Sequence, residues 1–246
     1  ANNAKPPARV AIVTTSNRPY NLVPWINYHL GYAGIDHVFI DLSADAQTWQ
    51  SLLPSIPYRD RVTVYLKERK ENYFLSGYQN YVVNAAINLS ARAGIDWIVH
   101  IDDDEMLYSP AKRSVGDIFG NIPDRFEAIQ IRNVEAVYES PDIKNCFSET
   151  KYFNMCGQSY VAYANGKSAS RVNLTQGRHP RGLGVHTFAR NGGARDLVTL
   201  RTMERNEFPD WTQFGAPLVV VHLESCPVSS WIQKYKQIAK TCEETK

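Results

Sequence analysis

Trp97-Ile98-Val99-His100-Ile101-Asp102-Asp103-Asp104-Glu105 is the stretch whose reading decides the fold. A short apolar run closed by acids reads as a buried strand ending in carboxylates, because Ile and Val fill a covered sheet while four successive anionic side chains cannot be buried unpaired. The acids therefore stand at the strand's carboxyl end, the side of an open α/β sheet on which ligands bind. If the chain stays extended there, Asp102 and Asp104 face one way and Asp103 the other. Two carboxylates on one side of a crevice make half a site for a hard divalent cation, Mg2+ or Mn2+. The competing reading is a solvated acidic turn capping the next helix. The clean strand before the acids, and matching strands elsewhere, favour the cation.

Working back from this stretch, the segment from Ser76 to Ala93 places Tyr78, Tyr81, Val82, Ala85, Ala86 and Leu89 on one stripe, a long amphipathic helix closed by Gly94. Val62 to Leu66 reads as a strand before it, and His37 to Asp41 as another, with Asp41 at its terminus. Ser43 caps a helix running to Leu53. Leu22 to Ala33 carries Trp25, Ile26, His29, Leu30 and Ala33 at helical spacing, stopped by Gly34. Val10 to Val13 is the first strand, opening into the polar loop Thr14-Thr15-Ser16-Asn17-Arg18-Pro19, whose hydroxyls and Arg18 suit a nucleotide. Strand and helix alternate through residue 105. The fold class is therefore α/β, a Rossmann-like, mainly parallel sheet with helices on both faces in a single domain. Residues from about 8 to 108 form a nucleotide-binding half and about 109 to 246 an acceptor-side half.

Working forward, a short helix is expected near Val115 to Ile122, and Glu127 to Val134 alternates as one strand. From Glu135 to Arg181 the pattern loosens, as in Asn165-Gly166-Lys167-Ser168, and reads as short strands and loops walling a pocket. Gly184 to Phe188 and Pro217 to Leu223 are two more strands. A final helix from about Ser229 buries Trp231, Ile232, Tyr235, Ile238 and Ala239 and leaves Lys234 on its surface.

The 246 residues are 43% hydrophobic and 21% charged, an ordinary composition for a folded soluble enzyme. A net charge of +2 gives no basis for a nucleic-acid or membrane-surface partner. No apolar run reaches the roughly 20 residues of a spanning helix. The start has neither Met nor a signal-peptide core, as in a trimmed chain that is either cytoplasmic or, with an upstream anchor removed, lumenal. Cys146, Cys156, Cys226 and Cys242 lack zinc-ligand spacing and settle no compartment.

Later residues offer partners for the acids. His222 ends an apolar strand, and a neutral imidazole there adds a third metal ligand beside Asp102 and Asp104; His186 competes for that role. For a general base, Glu135 and His186 rank first, with Asp142 and Asp210 as alternatives. Arg178, His179 and Arg181 lie in a loop able to close over phosphates.

The phrase Trp25-Ile26-Asn27-Tyr28-His29-Leu30, then Gly34-Ile35-Asp36-His37-Val38-Phe39-Ile40, Asp41-x-Ser43-x-Asp45 and Asp102-Asp103-Asp104-Glu105, resembles GT-A fold glycosyltransferases, in particular the family-2-like and family-92-like groups and the small transferases of large algal viruses. The resemblance covers about residues 10 to 108, with echoes at Gly166-Lys167-Ser168, Val185-His186 and Val221-His222. It implies a metal-dependent enzyme, using Mn2+ or Mg2+, that moves a sugar from a nucleotide diphosphate sugar, UDP-sugar favoured, to a glycan or other hydroxyl acceptor with inversion. Asp104 would ligate the metal, Asp102 the metal or ribose, and His222 the metal or diphosphate. Asp41 with Thr14 and Thr15 would hold the nucleoside, and Asp103, Arg18 and Lys234 complete the donor set. The chain departs from the pattern at Asn17-Arg18-Pro19, where the family often has an Asn-Glu pair. A metal-dependent phosphoryl hydrolase using the same acids, and a carbohydrate-binding module built on Tyr152, Phe153, Tyr160 and Tyr163, are the alternative readings.

Overall fold

The computed structural model of the chain describes residues 5–16, 22–42, 51–65, 75–156, 159–160, 163, 165–172, 180–182, 188–189, 195–196, 216–224, 226–229, 231–232, 235–236 and 239. Four apolar runs form parallel strands β1 (Val10–Thr15), β2 (His37–Asp41), β3 (Val62–Tyr65) and β4 (Trp97–His100), side by side in the order β4-β1-β2-β3. Every residue of β1 and β4 is buried, which explains their unbroken rather than alternating apolar character. β1 runs two residues past the expected Val13, so Thr14 and Thr15 lie buried in the strand and not in a loop.

Helices cover both faces. On one, Val82, Val83, Ala86 and Ile87 of α2 (Leu75–Arg92) pack on Ala11, Val13, Phe39 and Ile98. On the other, Trp25 and Ile26 of α1 (Leu22–Asn27) and Ile118 and Phe119 of α3 (Val115–Gly120) pack on Val10, Ile12, Ile40 and Val99. The Ser43 cap falls outside the described residues.

The second half departs from the reading given above. The single strand expected over 127–134 is two: β6 (Ala128–Ile131) joins the central sheet, and after Arg132 the chain enters β7 (Asn133–Val137) of another sheet. The short helix α4 (Cys146–Glu149) and strand β8 (Tyr152–Asn154) follow. The stretch read as loop around Lys167 is β9 (Lys167–Arg171), which inserts between β4 and β6 antiparallel to both. Small residues at Ser168, Ala169 and Ser170, all buried, disguise a central strand as irregular sequence. β10 (Arg181–Gly182) and β11 (Phe188–Ala189) pair only with each other as a two-stranded antiparallel sheet, and with the short β12 (Arg195–Asp196) the central sheet has the order β12-β6-β9-β4-β1-β2-β3, mixed but mainly parallel.

A second sheet, β5-β13-β7-β8, is formed by β5 (Glu105–Tyr108), β13 (Val219–His222), β7 and β8. Its edge strand β5 is covered by side chains of the tryptophan helix. Trp25 Nε1 donates to the Glu105 carbonyl (2.6 Å), Tyr28 Oη to the Leu107 carbonyl (3.0 Å), and the Leu107 N–H donates to His29 Nε2 (3.2 Å). A turn of π-helix over Tyr28–Tyr32 continues α1 at this point. An edge strand's outward backbone groups need partners, and here three side chains supply them. This is the structural content of the Trp25-to-Leu30 phrase.

His29 is therefore locked as one neutral tautomer: Nδ1 donates to the Trp25 carbonyl (2.9 Å) while Nε2 accepts. Burial lowers its pKa from 6.5 to about 3. A base whose folded pKa is depressed stabilises the fold above its unfolded pKa and loses that contribution as pH falls. Stability is expected to drop by about 1.4 kcal/mol per pH unit through this one group between pH 6.5 and about 3. Denaturant titrations from pH 7 to 4 on the parent and on His29→Gln check this, the slope being shallower in the variant.

The final helix does not bury its apolar residues. Trp231, Ile232 and Tyr235 are each about 40% exposed, and Ala239 is exposed; Ile238 and Lys234 fall outside the described residues. Just before this helix a disulfide joins Cys146, at the start of α4, to Cys226, with Cα atoms 5.8 Å apart across 80 residues of sequence. Both cysteines pack with Met106, Val134, Val221 and Leu223. Closing so long a loop restrains the unfolded chain, so Cys146→Ser with Cys226→Ser is expected to cost about 2–4 kcal/mol of stability. Chemical denaturation of parent and variant measures it.

Candidate catalytic site

The two sheets meet at the acidic turn. β4 ends at His100, Asp103 and Asp104 turn, and the Glu105 N–H donates back to the Asp102 carbonyl (3.2 Å) before β5 begins. The chain is therefore not extended here, and the alternation expected of Asp102, Asp103 and Asp104 gives way to three separate partners. Ser16 Oγ donates to Asp103 Oδ2, Lys167 Nζ lies 2.6 Å from Asp102 Oδ2, and Asp104 Oδ2 lies 4.0 Å from His222 Nε2.

Glu105, expected with the exposed acids, is wholly buried. It survives there because Lys167 Nζ is 3.3 Å from its Oε2, Tyr163 Oη donates to its Oε1, and the Asp102 N–H donates to its Oε2 (2.7 Å). Burial pushes the Glu105 carboxyl up while the Lys167 charge pulls it back. Burial opposes charge on Lys167 as well, but Asp102 and Glu105 outweigh it and leave the ammonium held more firmly than usual. Lys167 and Tyr163 were not singled out as partners of the acids by the sequence reading. The signal available was a lone Lys beside small residues that alternate poorly, which resembles a loop.

Asn133 delivers both. Fully buried, it donates from Nδ2 to the Tyr163 carbonyl (2.8 Å) and accepts at Oδ1 from the Gly166 N–H (3.1 Å). Gly166 has φ +66°, and a Cβ there would collide with the Ile131 carbonyl, so only glycine lets the chain pass close to β6 into β9. Lys167 then comes level with the end of β4, two residues before Ala169, which pairs with Val99.

His222 is set by register. It stands opposite Glu105 of β5 and opposite Glu135 of β7, and Glu135 in turn faces Asn154 of β8. Side chains paired across strands share a face, so Glu105, His222, Glu135 and Asn154 form one row. Glu135 Oε1 lies 3.7 Å from His222 Nδ1. Burial works to lower the imidazole's pKa, but the Glu135 carboxylate, then Asp104 and Glu105, outweigh it and raise it to about 9. The Asp104 carbonyl accepts from the Leu223 N–H (2.8 Å), which ties the acidic turn to the end of β13.

Asp104 and His222 suit a divalent cation as oxygen and imidazole donors, the cation displacing the proton that the surrounding carboxylates otherwise hold on the ring. Neighbouring donors each about 2.1 Å from one octahedral ion stand about 3.0 Å apart; these are 4.0 Å apart and would draw together around it. Among the described residues no group of three or more His, Cys, Asp or Glu side chains is arranged to enclose a metal. Further ligands would have to come from outside that set.

Beside the turn, Thr15, Asp41 and Tyr65 pair across the carboxyl ends of β1, β2 and β3. The Ser16 N–H donates to the Asp41 carbonyl (2.8 Å), joining this row to Asp103 through Ser16. Asp41 is fully buried, and Tyr65 Oη and the Gln79 Oε1 of α2 are buried with no hydrogen-bond partner among the described residues. Thr14 points to the opposite face. Of the other residues singled out in the sequence, His186, Arg18, Lys234, Asp210, Arg178 and His179 lie outside the described residues. Tyr163 and Tyr160 serve the site internally, Tyr160 Oη donating to the Asn133 carbonyl (3.1 Å), while Tyr152 and Phe153 of β8 are exposed.

No family model matches the sequence. "Glycosyltransferase-like At2g41451" of Arabidopsis thaliana is 26% identical over 225 residues, covering 73% of this chain and 49% of that protein. "Glycosyltransferase-like At3g57200", also of Arabidopsis thaliana, is 27% identical over 221 residues, covering 76% and 42%. The chain spans less than half the length of these curated relatives. Among solved structures, a CMP:2-keto-3-deoxy-manno-octonic acid synthetase complexed with CTP aligns with 67% of the chain and 75% of its own at 13% identity and a TM-score of 0.34. HddC from Yersinia pseudotuberculosis aligns with 67% and 77% at 15% identity and a TM-score of 0.37. No helix among the described residues is long and apolar enough to cross a membrane. By sequence, then, this mainly parallel α/β protein is a distant relative of plant glycosyltransferase-like proteins.

Proposed function

We propose that the protein is a GT-A-type glycosyltransferase that moves a sugar from a nucleotide diphosphate sugar to a hydroxyl of a glycan or similar acceptor, with a divalent cation, Mn2+ or Mg2+, at Asp104 and His222. The observation that carries this reading is the approach of Asp104 Oδ2 and His222 Nε2 to 4.0 Å at the carboxyl end of a parallel sheet. When bound, the cation would neutralise charge that builds on the departing diphosphate as its bond to the sugar breaks.

The chain's own residues divide the remaining tasks. Asp104 offers one carboxylate and is held in place through its carbonyl by Leu223. Glu135 lies 3.7 Å from the Nδ1 of His222, where its charge acts on the ring and a small closure would make the hydrogen bond by which carboxylates orient metal-bound imidazoles. A carboxylate so engaged makes a poor base toward an acceptor, so Glu135 is better read as this orienting group. Asp41, Thr15 and the unpartnered Tyr65 Oη and Gln79 Oε1 suit a nucleoside, whose base and ribose present both donors and acceptors. The exposed Trp231 and Tyr235 rings lie 4.6 Å apart, and Tyr235 Oη reaches Glu224 (3.4 Å), two residues past His222. Exposed aromatic faces suit the apolar face of an acceptor sugar.

Release of nucleoside diphosphate from a panel of UDP- and GDP-sugars, with Mn2+ and glycan acceptors, tests the proposal. One donor in the panel is expected to turn over only with cation and acceptor present. Release of inorganic phosphate in place of nucleoside diphosphate, or no donor bound, would contradict it.

A further inference from the structure

Lys167 has a fully buried side chain at the base of the acidic turn, with Nζ 2.6 Å from Asp102 Oδ2, 3.3 Å from Glu105 Oε2 and 5.4 Å from the centre of the Tyr163 ring. The backbone that carries it is equally fixed, because β9 is hydrogen-bonded on both sides and Gly166 admits no alternative path. An ammonium held this way cannot swing aside for a ligand. Asp104 belongs to a different set: its carboxylate faces His222 and its carbonyl is tied to Leu223.

We propose that Lys167 is a positioning residue that withholds Asp102 from the divalent cation, so that of the two aspartates flanking Asp103 only Asp104 binds metal, together with His222. This rests on the reading of the site as a cation-assisted transfer centre and says which acid the ion uses. The physical reason is charge. A divalent ion at Asp102 would share one carboxylate with an ammonium already at contact distance and itself wholly buried, so that the fixed charge of Lys167 opposes the ion. Beside His222 the ion would meet Asp104, with the Glu135 carboxylate behind the ring. Lys167 thus acts as a second, covalently attached positive charge below the ion, neutralising Asp102 and Glu105 and keeping the turn from collecting metal at the wrong oxygen atoms.

The test is a Mn2+ titration followed by electron paramagnetic resonance, without nucleotide, on the parent, Asp102→Asn, Asp104→Asn and the double variant Lys167→Met with Glu105→Gln. Asp104→Asn is expected to weaken Mn2+ binding by at least about tenfold, and Asp102→Asn by no more than about twofold. The double variant removes the buried charges as a pair and releases Asp102, so its Mn2+ binding is expected to tighten by about tenfold. A lysine with only a structural role would leave binding unchanged or weakened there. Equal weakening by Asp102→Asn and Asp104→Asn would overturn the role of Lys167 while leaving a cation site intact. No Mn2+ bound by the parent would overturn both. Should the double variant fail to fold by circular dichroism, the two aspartate variants decide between these outcomes.

Discussion

Asp104→Asn is expected to lower Mn2+-dependent sugar transfer by about 10²- to 10³-fold, the usual loss when one group stabilising a developing charge is removed. The variant keeps the size of the side chain and the carbonyl that accepts from Leu223, so the turn and β13 stay joined. What it loses is one negative charge 4.0 Å from His222. The loss should therefore fall on kcat and on the Mn2+ concentration giving half-maximal rate, with thermal stability near that of the parent. Asp104 is a third exposed and shares no buried pair, which is why its replacement should spare the fold. Steady-state rates across a Mn2+ series, beside a melting curve, separate the two effects.

Lys167→Met is expected to do the reverse and cost about 3–5 kcal/mol of folding stability, the range for removing one partner of a buried ion pair. The methionine fills much of the same space, so the cost is electrostatic. Glu105 has no exposure and would keep only the Tyr163 hydroxyl and the Asp102 N–H. Adding Glu105→Gln should recover part of the loss, because Gln still accepts from Tyr163 Oη and carries no charge. Urea denaturation of the single and double variants forms a cycle, and the expected result is a double variant more stable than Lys167→Met alone. Equal stability of the two would mean that Glu105 was never the group stranded by the loss of Lys167.

The two predictions mark how unevenly the sequence disclosed its structure. β1, β2 and β4 were legible because parallel strands buried on both faces are mostly apolar runs, and β3, at the sheet edge, as a short β-branched one. The extent of α2 was legible too, but its packed face is Val82, Val83, Ala86 and Ile87, rotated from the stripe read through Tyr81, which is exposed. The acids were legible as the abrupt end of such a run. β9 was not, because Ser168-Ala169-Ser170 fills a central strand with small residues, and its position between β4 and β6 comes from a long excursion that local pattern does not record. Glu105 was grouped with exposed acids for the same reason: its partner Lys167 lies 62 positions later in a segment read as loop. The break at Arg132 was hidden because two successive strands of different sheets share one alternating pattern. His222 and Glu135 were both visible as candidates, but their pairing depends on the register of β13 against β7, which no spacing encodes. The Trp25 to Leu30 phrase was visible as a resemblance, and its physical reason, the covering of β5, emerged only with the backbone groups of Glu105 and Leu107 in place.

Calorimetric titration of the parent and of Asp104→Asn with UDP and GDP, in Mn2+ and again after chelation, tests the account most directly. One of the two nucleotides is expected to bind the parent in Mn2+ and to lose at least about tenfold in affinity on chelation, with Asp104→Asn in Mn2+ behaving like the chelated parent. Nucleotide binding of equal strength in all these conditions, or none in any of them, would contradict it.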